Sequence, residues 1–259
     1  MLEFIEAPYH MGRRDWQVGA GPIRIASTGI AVELGLPRVR IDVGESATVE
    51  QVNAAIEQEA LRVRRHGGFP FVLAGNCNSC FGTVAALALE SAPGIVWFDA
   101  HGDFNTPETS ISGLLEGMAL AIVSKRHVPE DRIVLAGVRD MDPLERQRVA
   151  ASPMTVVPSG ELSTVQLPGG PVYVHLDMDV LNPTISPGVN FHGEGGLQVT
   201  ELENALRAVF GRTLVTAIAL VNYNPDRDTE GRTLHIICGL IRLICKLADD
   251  RALHSAAHS

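Results

Sequence analysis

A chain of 259 residues that is 46% hydrophobic and carries a formal net charge of −9 can bury a large core. It has no basic run and only 5% aromatic residues, which leaves little from which to build a phosphate-tracking surface and argues against nucleic acid as a partner. No window offers about 18 uninterrupted apolar residues, and the N-terminal stretch lacks a basic segment followed by an apolar one, so a single cytoplasmic domain over 1–259 with no membrane contact is expected.

Short β-branched runs alternate with segments of helical period, the pattern of a parallel sheet with helices on both faces. Thr48 and Gln51 have capping-box spacing and predict a helix start. Strands are predicted over 69–74, 94–98, 132–138, 154–158, 172–176 and 214–221. Thr200 and Glu203 repeat the capping-box spacing, and Leu202, Ala205, Leu206, Val209 and Phe210 then recur on one helical face. The segment 229–248 is apolar at helical spacing and is expected to close the domain, with Cys238 and Cys245 packed as small hydrophobes.

Two predicted strands run into acidic clusters, "GIVWFDAHGDFN" and "VYVHLDMDVLNP". Residues two apart point the same way in extended backbone, so Asp99, His101 and Asp103 can converge, and so can Asp177 and Asp179. Charges about 4 Å apart repel by ~4 kcal/mol at an effective dielectric near 20, and neither cluster contains a Lys or Arg. Divalent cations are the natural counter-charge, and carboxylates with one imidazole suit manganese or a similar metal.

These segments resemble the arginase and agmatinase family of binuclear manganese ureohydrolases, through Asp99-Ala100-His101-Gly102-Asp103 and through Asp177-Met178-Asp179 with Pro183. The resemblance implies a three-layer α/β/α sandwich around a mainly parallel sheet, a homo-oligomer (trimer or hexamer) and a small guanidino amino acid as substrate. It implies that Asp99 and Asp177 bridge two ions, that His101 and Asp179 complete one, and that Asp103 completes the other while handling protons. Cys77, in Ala74-Gly75-Asn76-Cys77-Asn78, stands where the family has its remaining ligand, a histidine. A thiolate there makes zinc or iron more competitive at that ion. The loop "DFNTPETSISG" resembles the arginase grip on an α-carboxylate and points to Asn105 and Ser112. The segment "GVRDMDPLE" resembles the grip on an α-amino group and points to Asp142 and Glu145.

The guanidine end departs from the family pattern. Asn222 stands where a glutamate pairs with guanidinium, Glu116 falls in the segment that carries a shuttle histidine, and Val189-Asn190-Phe191-His192 replaces a T-G-T-P loop, which puts His192 at the pocket border. L-Arginine would then need Glu116 or Glu194 as its partner. The less basic Nω-hydroxy-L-arginine suits the neutral Asn222 better, and the cysteine and "HGDFNTPET" loop are similar to those of the Nω-hydroxy-L-arginine amidinohydrolases of D-cycloserine biosynthesis. The leading expectation is a hydrolase in which a metal-bridging hydroxide attacks the guanidine carbon, with Asp103 and Glu116 moving protons. Alternatives are a metal-binding pseudoenzyme of the same fold and a thiol oxidoreductase built on Cys77 and Cys80. His175 is either a donor to Asp177's surroundings or a satisfied core residue, and His10, His66, His127, His235, His254 and His258 are expected at the surface or in the core.

Overall fold

In the computed structural model, residues 1–256 are described, with side chains through Asp250. His254 and His258 therefore lie outside the residues whose side chains are described. The chain runs β1 (Leu2–Ala7), β2 (Tyr9–His10), β3 (Arg13–Arg14), α1 (Gly21–Ala26), α2 (Ile30–Glu33), β4 (Arg38–Arg40), α3 (Val49–Arg65), β5 (Phe69–Ala74), α4 (Cys80–Ala88), β6 (Gly94–Phe98) and α5 (Ala119–His127). It continues through β7 (Ile133–Ala136), α6 (Pro143–Ala151), β8 (Thr155–Val157), β9 (Pro171–Asp177), α7 (Val199–Arg212), β10 (Leu214–Val221) and α8 (Arg232–Ala256). Eight strands form one sheet in the order β4-β1-β5-β10-β9-β6-β7-β8, and every pairing is parallel. One apolar cluster joins Phe71, Leu73, Val96 and Phe98 to Leu206 and Ile241; the other joins Val72, Ile95, Trp97 and Tyr173 to Ile56 and Leu120. Helices thus cover both faces, as the strand alternation requires, and the result is a three-layer α/β/α sandwich.

The predicted strands 69–74, 94–98 and 214–221 form at those limits. The first strand was not anticipated, because Glu3 and Glu6 interrupt its apolar run. Glu6 is nonetheless buried in β1, where Oε1 accepts from Arg38 Nη1 at 3.0 Å and Oε2 from Arg40 Nε at 2.9 Å, both on edge strand β4. The arginines are about half exposed and can rehydrate, so Glu6→Gln should cost only ~1–2 kcal/mol, read as a shift in the urea midpoint at constant m-value.

Thr48 and Gln51 cap each other at the start of α3 as expected, through Thr48 N to Gln51 Oε1 at 2.8 Å and Gln51 N to Thr48 Oγ1 at 3.2 Å. The expected Thr200–Glu203 box is corrected. The backbone N–H of Gln198 donates to Glu201 Oε2 at 2.7 Å, and α7 begins at Val199. Buried Leu197 bridges to Leu181 just before, which anchors the chain and starts the helix two residues early. Its apolar face is buried as predicted.

The strands all deliver their carboxyl ends to one edge, where open α/β sheets bind ligands. At that edge Gly75 O accepts from Asn222 N at 2.9 Å, while a Cβ on Gly75 would lie 2.1 Å from Tyr9 O. Only glycine lets the β2–β3 hairpin close over the end of β5, and that closure carries His10 to the site.

Candidate metal centre and substrate pocket

Local strand geometry builds the floor of the site. Trp97 and His175 are register partners on β6 and β9, and two residues further along the same face come Asp99 and Asp177. Asp99 Oδ2 accepts from Trp97 Nε1 at 3.1 Å, and its Oδ1 accepts from the backbone N of His101 at 2.7 Å. Asp177 Oδ1 caps the turn that follows β9 by accepting from Asp179 N at 2.8 Å. His101 Nδ1 then lies 3.2 Å from Asp99 Oδ1 and 3.1 Å from Asp179 Oδ2. From the end of β5, Cys77 Sγ approaches Asp177 Oδ2 at 3.3 Å and lies 4.0 Å from Asp99 Oδ2. Asp103 is buried in left-handed backbone (φ 48°), and its Oδ2 has no hydrogen-bond partner. Holding a non-glycine residue there costs ~1–3 kcal/mol, the kind of strain that concentrates at functional sites.

The electrostatics call for a cation. Burial, reinforced by Asp179, pushes the Asp99 carboxyl up to about 7, and burial with neighbouring carboxylates also raises Asp103 and Asp177. Burial works against ionisation of Asp179 too, but the hydrogen bond and charge of His101 outweigh it and hold that carboxyl below its usual range. Burial, with Asp103 and the other aspartates, drives the Cys77 thiol well above the ordinary value, so a bound cation must displace its proton. Among the described residues no Lys or Arg pairs with these carboxylates; Arg139 Nη2 spends itself on the backbone O of Asp179 at 2.7 Å. Donors of Cys77, Asp99, His175 and Asp177 lie within 4.8 Å of one another, and so do those of Asp99, His101 and Asp179. Oxygen, imidazole and thiol donors arranged in two sets that share Asp99 fit divalent transition metals.

Above this floor lies a cavity of about 210 Å³ whose walls include Asn105, Ser112, Glu116, Asp142, Glu145 and Asn222. Asp142 Oδ2 accepts from Asn105 Nδ2 at 3.2 Å and from Ile111 N at 3.0 Å, so Asn105 braces Asp142. Glu145 is more deeply committed than its sequence position suggested. Its Oε1 accepts from Phe104 N at 2.8 Å and its Oε2 from Asp142 N at 3.1 Å, which fixes the entry to α6 and the loop behind His101. Asn222, also in left-handed backbone (φ 65°), is engaged at both ends of its amide. Nδ2 donates to Asp177 Oδ1 at 2.9 Å and to Asp179 Oδ2 at 3.1 Å, and Oδ1 accepts from Asn190 N at 3.1 Å.

Two expected contributors lie elsewhere. His192 turns outward, with Nε2 3.1 Å from Pro187 O, and its neighbour Phe191 enters the cavity wall with its ring edge-on to His101. Glu194 is likewise outside the cavity lining. One residue was missed. His10, expected to be ordinary surface or core, stacks on Trp16 with ring centroids 5.0 Å apart and puts Nε2 3.5 Å from Glu116 Oε2, which also accepts from Asn76 Nδ2 at 2.8 Å. No local motif marks it, because the pairing depends on the β2–β3 hairpin folding over β5.

A parallel α/β/α sandwich with overlapping carboxylate–imidazole donor sets at the carboxyl edge of its sheet is the framework of a metal-dependent hydrolase. Comparison with known proteins narrows that class. The Arginase family model matches residues 4–246, and the chain belongs to the arginase family, whose members are hydrolases acting on amidine C–N bonds. It is 30% identical to the arginase of Bacillus caldovelox over 249 residues, covering 85% of this chain and 82% of that one. It is 26% identical to an arginase of Staphylococcus aureus (strain COL), over 93% of this chain and 95% of the other. The crystal structure of arginase from Bacillus subtilis superposes with a TM-score of 0.82 at 26% identity, covering 94% of this chain and 98% of the other. Among the described residues no helix is long and apolar enough to cross a membrane.

Proposed function

We propose that this chain hydrolyses the guanidine group of an arginine-type α-amino acid, giving ornithine with urea or hydroxyurea, and that it prefers Nω-hydroxy-L-arginine to L-arginine. The observation that carries the reading is a cavity whose floor is a buried cluster of carboxylates, imidazole and thiol, with Asn105, Ser112 and Asp142 in its walls and a neutral Asn222 whose amide is fully engaged. Two divalent ions, manganese with zinc or iron competing beside Cys77, would supply the Lewis acidity that makes water a nucleophile at neutral pH.

The chain's own groups do the rest. Asp142, held by Asn105 and the Ile111 N–H, receives the α-ammonium group, while Asn105 and Ser112 face the α-carboxylate. Asp103 presents an unengaged Oδ2 to take the proton of the attacking water. As the guanidine carbon becomes tetrahedral and its bond to the ornithine nitrogen breaks, that nitrogen leaves with a proton from Asp103 or Glu116. Glu116 stands in the cavity wall with His10 behind it, so the pair can hold and reset a proton where the family pattern has a histidine. Cys77 and Cys80 do not support a dithiol reaction, since both are buried and burial raises both thiols, the reverse of a reactive redox pair.

Measuring bound metal by mass spectrometry, with urea and hydroxyurea release from L-arginine, Nω-hydroxy-L-arginine and agmatine, tests the reading. Turnover of the hydroxylated amino acid by metal-loaded protein supports it; metal without turnover of any guanidine favours the pseudoenzyme. Glu116→Gln should lower kcat by about 100-fold with little change in KM, as for loss of a group acting only on proton transfer. An unchanged kcat would remove Glu116 from the proton path.

A further inference from the structure

His175 is fully buried on β9, two residues before Asp177, with its ring stacked on Trp97 at a centroid separation of 3.6 Å and an interplanar angle of 8°. Its Nδ1 lies 3.0 Å from Tyr173 Oη, and its Nε2 has no hydrogen-bond partner. A buried polar atom left unpaired costs ~1–3 kcal/mol, so a free imidazole nitrogen in this position calls for an explanation. A ring nitrogen of His175 lies within 4.8 Å of Cys77 Sγ and of Asp99 and Asp177 carboxylate oxygens. With Nδ1 taken by Tyr173, the nitrogen available to that group is Nε2.

We propose that His175 Nε2 is a metal ligand, completing with Cys77, Asp99 and Asp177 the coordination of the ion beside the cysteine. The inference rests on the two-ion reading of the site given above. Ligating imidazoles donate their other ring N–H to a fixed acceptor, which sets tautomer and orientation. Tyr173 Oη occupies that place for Nδ1–H, and the Trp97 indole clamps the ring plane while its own Nε1 holds Asp99 Oδ2. The imidazole absent at position 77 is therefore supplied from the strand below, and the ion gains a neutral nitrogen donor among anionic ones. One thiolate and one imidazole also explain why a softer ion than manganese should compete there.

The test uses the full-length wild-type protein, 15N-labelled at histidine, loaded with 113Cd2+ and examined by NMR. His101 presents Nδ1 to its carboxylates, whereas His175 can present only Nε2, so the two ligands are told apart by which nitrogen is split by cadmium. Cadmium coupling at one Nδ1 and at one Nε2 is expected. Two bound cadmium ions with coupling at Nδ1 alone would overturn the assignment and leave the two-ion reading intact, while a single bound ion would overturn both. His175→Gln, checked for folding by circular dichroism, should weaken the cysteine-side ion by about 100-fold or more, while the His101-side ion keeps its affinity within about threefold. Equal affinities in variant and wild type would also overturn it. Tyr173→Phe should weaken the same ion by a smaller factor, about tenfold, because it removes only the orienting contact.

Discussion

Turnover of L-arginine should be at least about 100-fold less efficient in kcat/KM than turnover of Nω-hydroxy-L-arginine. A guanidinium drawn out of water without its paired carboxylate loses ~3–5 kcal/mol, and each 1.4 kcal/mol is about tenfold. Asn222 cannot supply that charge, and its amide is already engaged by Asp177, Asp179 and Asn190. Among the other carboxylates in the wall, Glu116 is held by Asn76 and His10, Asp142 by Asn105 and the Ile111 N–H, and Glu145 by the N–H groups of Phe104 and Asp142. A hydroxyguanidine is less basic and carries less charge into the cavity, so it loses less on desolvation. Asn222→Glu should shift the ratio of the two kcat/KM values towards L-arginine by about tenfold while lowering both, because the substitution also releases the amide grip on Asp177 and Asp179. Equal efficiencies for the two substrates in the wild-type protein would refute this reading of the guanidine end. Agmatine should be poor as well, since it brings no carboxylate to Asn105 and Ser112.

The second large effect concerns the cysteines. Cys77→Ser should strip most of the metal from the cysteine-side ion during dialysis against chelator, whereas Cys80→Ser should retain wild-type occupancy. The two thiols differ in surroundings rather than in burial. Cys77 Sγ faces Asp177 and Asp99, while Cys80 opens α4 and packs among apolar side chains such as Val84. A serine hydroxyl is a far weaker anionic donor than a thiolate, so its loss is felt as lost affinity. Cys80→Ser places a hydroxyl in an apolar setting and should lower thermal stability without touching the metal. Matching occupancies in the two variants, measured by mass spectrometry of metals per chain, would take Cys77 out of the coordination shell.

The resemblance to arginases and the chemistry of the floor were legible from one-dimensional pattern. Strands with period two deliver alternate residues to one face, which aligns Asp99 with Trp97 and Asp177 with His175, but β6 ends at Phe98 and β9 at Asp177, so the loop and turn beyond them, and not extended backbone, place His101, Asp103 and Asp179. The same logic located β5, β6 and β10. It failed for β1, where a buried Glu6 is made tolerable by arginines that only the sheet brings alongside.

Residue identities also showed that Cys77 and Asn222 depart from the family pattern, and they could not show what those departures do. Tertiary structure decided that Asn222 is locked onto Asp177 and Asp179, that Phe191 rather than His192 faces the cavity, and that Glu145 serves two backbone N–H groups. It brought His10 to Glu116, left His175 Nε2 unpaired, and set a ring nitrogen of His175 within 4.8 Å of Cys77 Sγ. The physical reason is the range of the forces involved. Strand alternation and capping act within a few residues and are written locally, whereas burial and side-chain pairing depend on which distant segments the sheet order sets next to each other.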